Sequence, residues 1–127
     1  ELHALRDIPM SMKHAHGGMC SYYRFDDSKL PTVSVIVTSQ NERTGLNTLT
    51  VHSILARTPP DLLKEIIVVD DNSADPAYRE FVDEAELKEL ETFHPKVRVI
   101  HNTYQEGCAR SRLIGAKAST GDVLMFV

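Results

Sequence analysis

A chain of 127 residues is long enough for one ordinary domain and no more. Its hydrophobic share of 42% and charged share of 25% are those of a globular protein. With 14 basic against 18 acidic groups the net charge is −4, which argues against a nucleic-acid binder, and no apolar run is long enough to cross a bilayer.

Residues 1–29 read as an irregular N-terminal arm, because Pro9, Gly17 and Gly18 break any period. Its polar opening at Glu1 carries no visible leader pattern. His14 and His16, with His3 and Cys20 nearby, match no structural zinc spacing. Tyr22, Tyr23 and Phe25 are the arm's apolar anchors. The two cysteines, Cys20 and Cys108, are open to pairing with each other, pairing elsewhere, or remaining thiols.

Residues 30–127 then alternate in type. Leu30-Pro31 punctuates the chain, and Val33–Thr38 is a β-branched strand ending in Ser39-Gln40-Asn41-Glu42. A helix follows, capped by Asn41 or Thr44, with Leu46, Leu49, Val51, Ile54 and Leu55 on its apolar side. Thr58-Pro59-Pro60 stops it, since proline cannot continue a helix. Ile66–Val69 lacks polar alternation and so reads as a parallel strand buried on both faces. It ends in Asp70, Asp71, Asn72 and Ser73, which either form a turn and helix cap or present carboxylates to a ligand. Asp75-Pro76 has the form of a second helix start. Tyr78, Phe81, Val82, Ala85 and Leu90 would be its buried side, and Glu80, Asp83, Glu84, Glu86, Glu89 and Glu91 a solvated acidic face. His94-Pro95 ends it, and Val97–Ile100 is a third strand. A third helix opens across Gln105 to Arg112, with Ala109, Leu113 and Ala116 on one side and Gly121 as its stop. Val123 to Val127 is a fourth apolar run.

Strand and helix in strict alternation predict an α/β fold, a parallel sheet with helices on both faces. Three polar clusters, at residues 38–42, 70–73 and 102–107, would then gather on the carboxyl edge of that sheet, where such folds bind ligands. Neither Gly-x-Gly-x-x-Gly nor a Walker lysine motif is present. A nucleotide would therefore be held at base and ribose by Asp and Thr groups, with a metal on its diphosphate. Arg110 and Arg112 are candidates to hold phosphate or to pair with Asp70 and Asp71, with structural ion pairs as the alternative. Gly107 suits a tight turn or a close backbone approach.

Four stretches carry a resemblance: Leu30-Pro-Thr-Val-Ser-Val-Ile-Val-Thr with Asn41-Glu42, Thr50 to Pro59, Glu65-Ile-Ile-Val-Val-Asp-Asp71, and Gly107-x-x-Arg-x-Arg-Leu-x-Gly115-Ala116. In order and spacing they resemble the polypeptide N-acetylgalactosaminyltransferases, which begin mucin-type O-glycosylation. Arg6, Ile8 and Cys20 resemble the segment before that family's catalytic domain. The resemblance implies a Rossmann-like GT-A fold binding UDP-GalNAc with Mn²⁺, and transfer of GalNAc to Ser or Thr of a polypeptide with retention. Residues 30–127 would be the UDP-sugar-binding half of the catalytic domain, stopping after the fourth strand. Thr38 and Asp71 match residues that contact the uridine; Asp70, Asn41, Glu42 and Gly107 match motif positions that shape the site. Cys20 matches a cysteine bridged to a later part of the domain. The implied setting is the Golgi lumen, on a type II membrane protein anchored upstream of Glu1.

Three positions depart from that pattern. Ser39-Gln40 stands where the family has Phe-His, Gln105 where an arginine contacts the nucleotide, and Cys108 where leucine is usual. Gln105 can hydrogen-bond, but it supplies neither charge nor a bidentate fork. The family's metal motif, Asp-x-His, follows the strand that here closes at Phe126-Val127. No catalytic residue and no metal ligand is thus expected within this segment, which alone should not transfer sugar. The apolar run to Val127 should promote self-association. Two rival readings remain: another GT-A glycosyltransferase with a different donor or acceptor, and a catalytically degenerate UDP-sugar-binding relative.

Overall fold

The computed structural model describes residues 27–73 and 84–127. A short 3₁₀ turn, Asp27–Lys29, leads into four strands and three helices. These are β1 (Val33–Ser39), α1 (Leu46–Arg57), β2 (Leu63–Asp70), α2 (Glu84–Phe93), β3 (Val97–His101), α3 (Cys108–Ala118) and β4 (Val123–Phe126). All strand pairs are parallel, in the order β3-β2-β1-β4. The chain runs outward from β1 to β3 and then returns to the other side of β1. That reversal between β1 and β4 is the switch point at which open α/β sheets form their ligand crevice.

Strands β1 and β2 are apolar on both sides and are covered on both faces, whereas β4 is exposed. Val35, Val37, Ile66 and Val68 pack under Val51 of α1 and under Leu87 and Leu90 of α2. Ile36, Ile67 and Val69 pack on the opposite face, against Ile114, Ala116 and Ala118 of α3. Each such branched side chain contributes about 1.5–3 kcal/mol, set against chain entropy. Helix α3 comes close to the sheet because it carries Gly115: a Cβ there would lie 2.5 Å from Ile36 Cγ2.

The amino edge of the sheet is tied by one carboxylate. Glu65 Oε1 accepts bonds from Ser34 Oγ (2.9 Å), Thr120 N–H (2.6 Å) and Thr120 Oγ1 (2.8 Å), and Oε2 pairs with Arg98 at 2.9 Å. Burial pushes this carboxyl up, but the Thr120 and Ser34 bonds and the Arg98 charge outweigh it, so it ionises below the usual range. Arg98 also donates to the Ala118 carbonyl at the end of α3. Gly121 N–H donates to Ser34 Oγ, and a Cβ at Gly121 would stand 2.7 Å from the Ser34 backbone nitrogen. Strands β1, β2 and β3 and the α3–β4 turn thus meet at Glu65.

Several expectations are corrected. Helix α1 exposes Leu46 and Leu49 and buries Asn47 and Val51, and its cap position is Gly45 rather than Asn41 or Thr44. In α2, Ala85 is exposed while Glu86, assigned to the solvated face, is buried beside Leu87. Helix α3 begins at Cys108, after Gln105, and its cap residue is Ser119 rather than Gly121. It buries Ser111 and Gly115, whereas Ala109 and Leu113 face outward. Arg110 pairs with Glu106 at 3.1 Å, four residues back, rather than with Asp70 or Asp71. Cys108 is a free thiol. The expectations for His3, His14, His16, Cys20, Tyr22, Tyr23, Phe25, Asp75-Pro76, Tyr78, Phe81 and Val82 lie outside the described residues.

Candidate functional site

At the carboxyl edge the three polar clusters do come together. Asp71 is the hub on the α3 face. It is 3% exposed, and its backbone N–H donates to the Ser39 carbonyl at 2.8 Å. Its Oδ1 accepts Asn102 Nδ2 (2.8 Å) and the Glu106 N–H (2.7 Å); its Oδ2 accepts the Gly107 N–H (2.8 Å). Burial pushes the Asp71 carboxyl up, but the bonds from Asn102, Glu106, Gly107 and Ser111 more than reverse this and hold it ionised below the usual range. The result is a negative charge fixed beneath the loop that leads into α3. Gly107, at φ +81, makes that loop possible, since a side chain there would be strained.

Asp70 points to the other face. Its Oδ1 accepts the Ser73 hydroxyl and the Ser73 N–H, and its Oδ2 lies 3.1 Å from His101 Nδ1. His101 Nε2 in turn lies 3.4 Å from Glu91 of α2. Ser73 Oγ also accepts the Asn41 N–H at 2.9 Å, so the β1–α1 loop hangs from the end of β2. Asn41 and Asn72 both hold positive φ, 51° and 56°. Among the described residues every positive φ, those of Gly45 and Gly107 included, falls at this edge. Strain of this kind collects at functional sites, where surrounding bonds over-determine the backbone. The Ser39 Oγ and Asn41 Oδ1 atoms, buried here without a hydrogen-bond partner, belong to the same edge.

Thr38 stands at the switch point. Its Oγ1 lies 3.9 Å from Cys108 Sγ at the start of α3, and its N–H faces the Val127 carbonyl beside it. A cavity of ≈ 250 Å³ opens between the ends of β1 and β4 and the start of α1. Val37, Thr38, Glu42, Asn47, Thr50 and Val127 are in its wall. Glu42 and, in the loop between β3 and α3, Gln105 are exposed. Thr38, Glu42, Asn41, Asp70, Asp71, Gln105 and Gly107 thus all stand at one edge, although Asp70 and Asp71 serve opposite faces. The sequence places Asn102 in the 102–107 cluster without giving it a role of its own, and Ser111 and His101 escape assignment. Asn102 does directly follow a strand, and Ser111 is a small polar residue four positions after Gly107, which is the available signal. Among the described residues no group of three His, Cys, Asp or Glu side chains could hold a metal, so these residues do not by themselves make a Mn²⁺ site.

Residues 34–127 match the family model described as Glycosyl transferase family 2. The chain belongs to that family. Mouse polypeptide N-acetylgalactosaminyltransferase 4 is 44% identical over 108 residues, 85% of this chain and 18% of that protein. The Caenorhabditis elegans protein called Probable N-acetylgalactosaminyltransferase 7 is 41% identical over 108 residues, 85% of this chain and 17% of its own length. This chain therefore spans less than a fifth of these relatives. The crystal structure of GalNAc-T7 with UDP, GalNAc and Mn²⁺ aligns with a TM-score of 0.66 at 36% identity, over 83% of this chain and 19% of that one. A mannosyltransferase from Pyrobaculum calidifontis, in complex with GDP-Man and Mn²⁺, shares the fold at TM-score 0.60 and 23% identity, over 81% of this chain and 28% of its own. The resemblance to polypeptide N-acetylgalactosaminyltransferases drawn from the motifs holds, and the GT-A architecture holds with it.

Proposed function

We propose that this segment is the donor-binding half of a polypeptide N-acetylgalactosaminyltransferase. The observation that carries the reading is the carboxyl edge, where ionised Asp71, Thr38 and the Gly107 turn converge at the switch point of a sheet that aligns with GalNAc-T7 bound to UDP. The donor is UDP-GalNAc. Thr38 Oγ1 faces the uridine, and the Asp71 carboxylate accepts from a base N–H or a ribose hydroxyl. Asn41, Glu42 and Asp70 shape the wall, and Gln105 offers an uncharged contact. Gly107 lets the backbone come close.

The whole enzyme passes GalNAc to Ser or Thr of a polypeptide with retention, on the lumenal side of the Golgi, as a type II membrane protein. Mn²⁺ takes its ligands from residues other than those described and would neutralise the donor's diphosphate. Cys20 bridges to a cysteine outside this chain, and residues 1–29 are an arm ahead of the domain. The segment by itself is inactive. It self-associates through Val123 to Val127, whose side chains are 39–53% exposed along β4 and just past it. Sedimentation velocity that stays monomeric at high concentration would remove that last claim.

The test of the main reading is calorimetric titration with UDP and UDP-GalNAc, with and without Mn²⁺, on this chain and on its full natural form. Binding that is lost in Asp71→Ala supports the donor site. Absence of binding in the full natural form favours the degenerate relative, to which Ser39, Gln40 and Gln105 already point. Binding of a different nucleotide sugar instead would indicate another GT-A transferase.

A further inference from the structure

We infer that Glu86, a residue of α2 remote from the predicted contacts, is a positioning residue of the nucleotide-sugar site. It acts by fixing the start of α1 and with it the β1–α1 loop. This rests on the donor-site reading above.

Glu86 is 7% exposed, in a helix whose neighbouring charged side chains Lys88 and Glu89 face water. A buried carboxylate is costly unless its oxygens are bonded. Here they are: Oε2 accepts the Gly45 N–H at 2.9 Å, and Oε1 accepts the Thr48 N–H and the Thr48 hydroxyl, both at 2.8 Å. Gly45 is the cap residue of α1 and brings no side chain of its own. The first turn of α1 contains no acidic residue either. The free N–H groups at a helix start attract a carboxylate, and one is usually supplied locally by Ser, Thr, Asp or Asn. In this chain it comes from 41 residues away.

That distance has a consequence which a local cap would lack. The five residues from Asn41 to Gly45 are held at both ends from the β2–α2 side of the molecule: Asn41 N–H by Ser73, and Gly45 N–H by Glu86. The loop holds positive φ at both of those ends, 51° and 93°. It carries Glu42, and it delivers Asn47 and Thr50 to the cavity beside Thr38. The position of that wall is therefore set by a carboxylate that touches no ligand.

The experiment compares Glu86→Gln with Thr48→Val in the full natural chain. An amide at residue 86 keeps an oxygen for Thr48 and turns an NH₂ toward the Gly45 N–H, so it releases the loop. Valine at residue 48 removes one hydroxyl bond to the same carboxylate and leaves Gly45 pinned. Three readouts are taken well below the melting temperature: UDP affinity with Mn²⁺, donor KM against kcat, and amide hydrogen exchange over residues 41–48. Glu86→Gln is expected to weaken UDP about tenfold, through KM rather than kcat, and to speed exchange in the loop. Thr48→Val is expected to lower the melting temperature without moving the affinity. Unchanged affinity in Glu86→Gln would overturn the inference, as would equal losses of affinity in both variants. Wild-type protein that binds no nucleotide would instead sink the donor-site reading, and Glu86 would then be only a structural cap.

Discussion

Two carboxylates, Glu65 and Asp71, sit near opposite ends of β2 and perform the same physical act. Each gathers hydrogen bonds from a loop flanking α3, and each is held ionised against its own burial. Their surroundings differ. Around Glu65 the donors are Ser34, Thr120 and Arg98, and no described residue nearby holds a positive φ. Around Asp71 the backbone is bent at Asn72 and Gly107, and polar atoms of the neighbouring β1 end remain without partners. The amino edge spends its polar groups on closing the sheet. The carboxyl edge uses the same device to hold open a shape that the backbone does not prefer. An identical bonding pattern therefore does not mark a site; the strain and the orphan groups beside it do.

The sharpest way to break this comparison is to remove each carboxylate in turn. Asp71→Ala should abolish UDP binding and cost about 3 kcal/mol of stability, because it leaves the Glu106 and Gly107 N–H groups unpaired. Glu65→Ala should cost about 2 kcal/mol and leave UDP affinity intact. Titration calorimetry with urea denaturation checks both, and equal binding losses would erase the distinction.

The glycines test the close approaches on the same two sides. Gly121→Ala pushes a methyl against the Ser34 backbone and should cost about 3 kcal/mol, and Gly115→Ala pushes one against the buried, β-branched side chains of Ile36 and Val69 and should cost about 2–3 kcal/mol. Thermal melts rank the two. Acid offers a third test. Both carboxyls titrate lower folded than unfolded, so the stability they add is complete above about pH 4 and drains away as pH falls through their folded values. Asp71→Asn should therefore flatten the decline in urea midpoint between neutral pH and about pH 3. The smallest effect is expected in the loop between β3 and α3, where Gln105→Arg supplies a charge and should tighten UDP about threefold to tenfold. No change in Kd would mean that position 105 does not reach the phosphates.

The strands and their order were legible because Val, Ile and Thr concentrate in β1, β2 and β3, and because each run ends in turn-forming polar residues. The gathering of Thr38, Asp71 and Gly107 followed from that order alone. Other features left no local trace. Glu86 sits among charged residues, so a pattern reading places it in water; its partners are brought to it only by the packing of α2 beside α1. Leu46, Leu49 and Leu113 have the spacing of a buried stripe, yet small residues, Gly115 and Ser111, make the contact of α3 with the sheet. A helix that packs closely hides its interface from a hydrophobic count, because the residues that allow approach are the ones with little to bury.

The placement of β4 beside β1 also sets a sequence of events in synthesis. Thr32 bonds to Asp122 across 90 residues of chain. One side of the sheet's central strand thus stays unpaired until nearly the whole segment has left the ribosome. Pairings of such long separation form slowly. A nascent chain would carry β1 and β2 joined, with the open flank of β1 exposed to chaperones, and the pocket at the switch point would form only once β4 had been made.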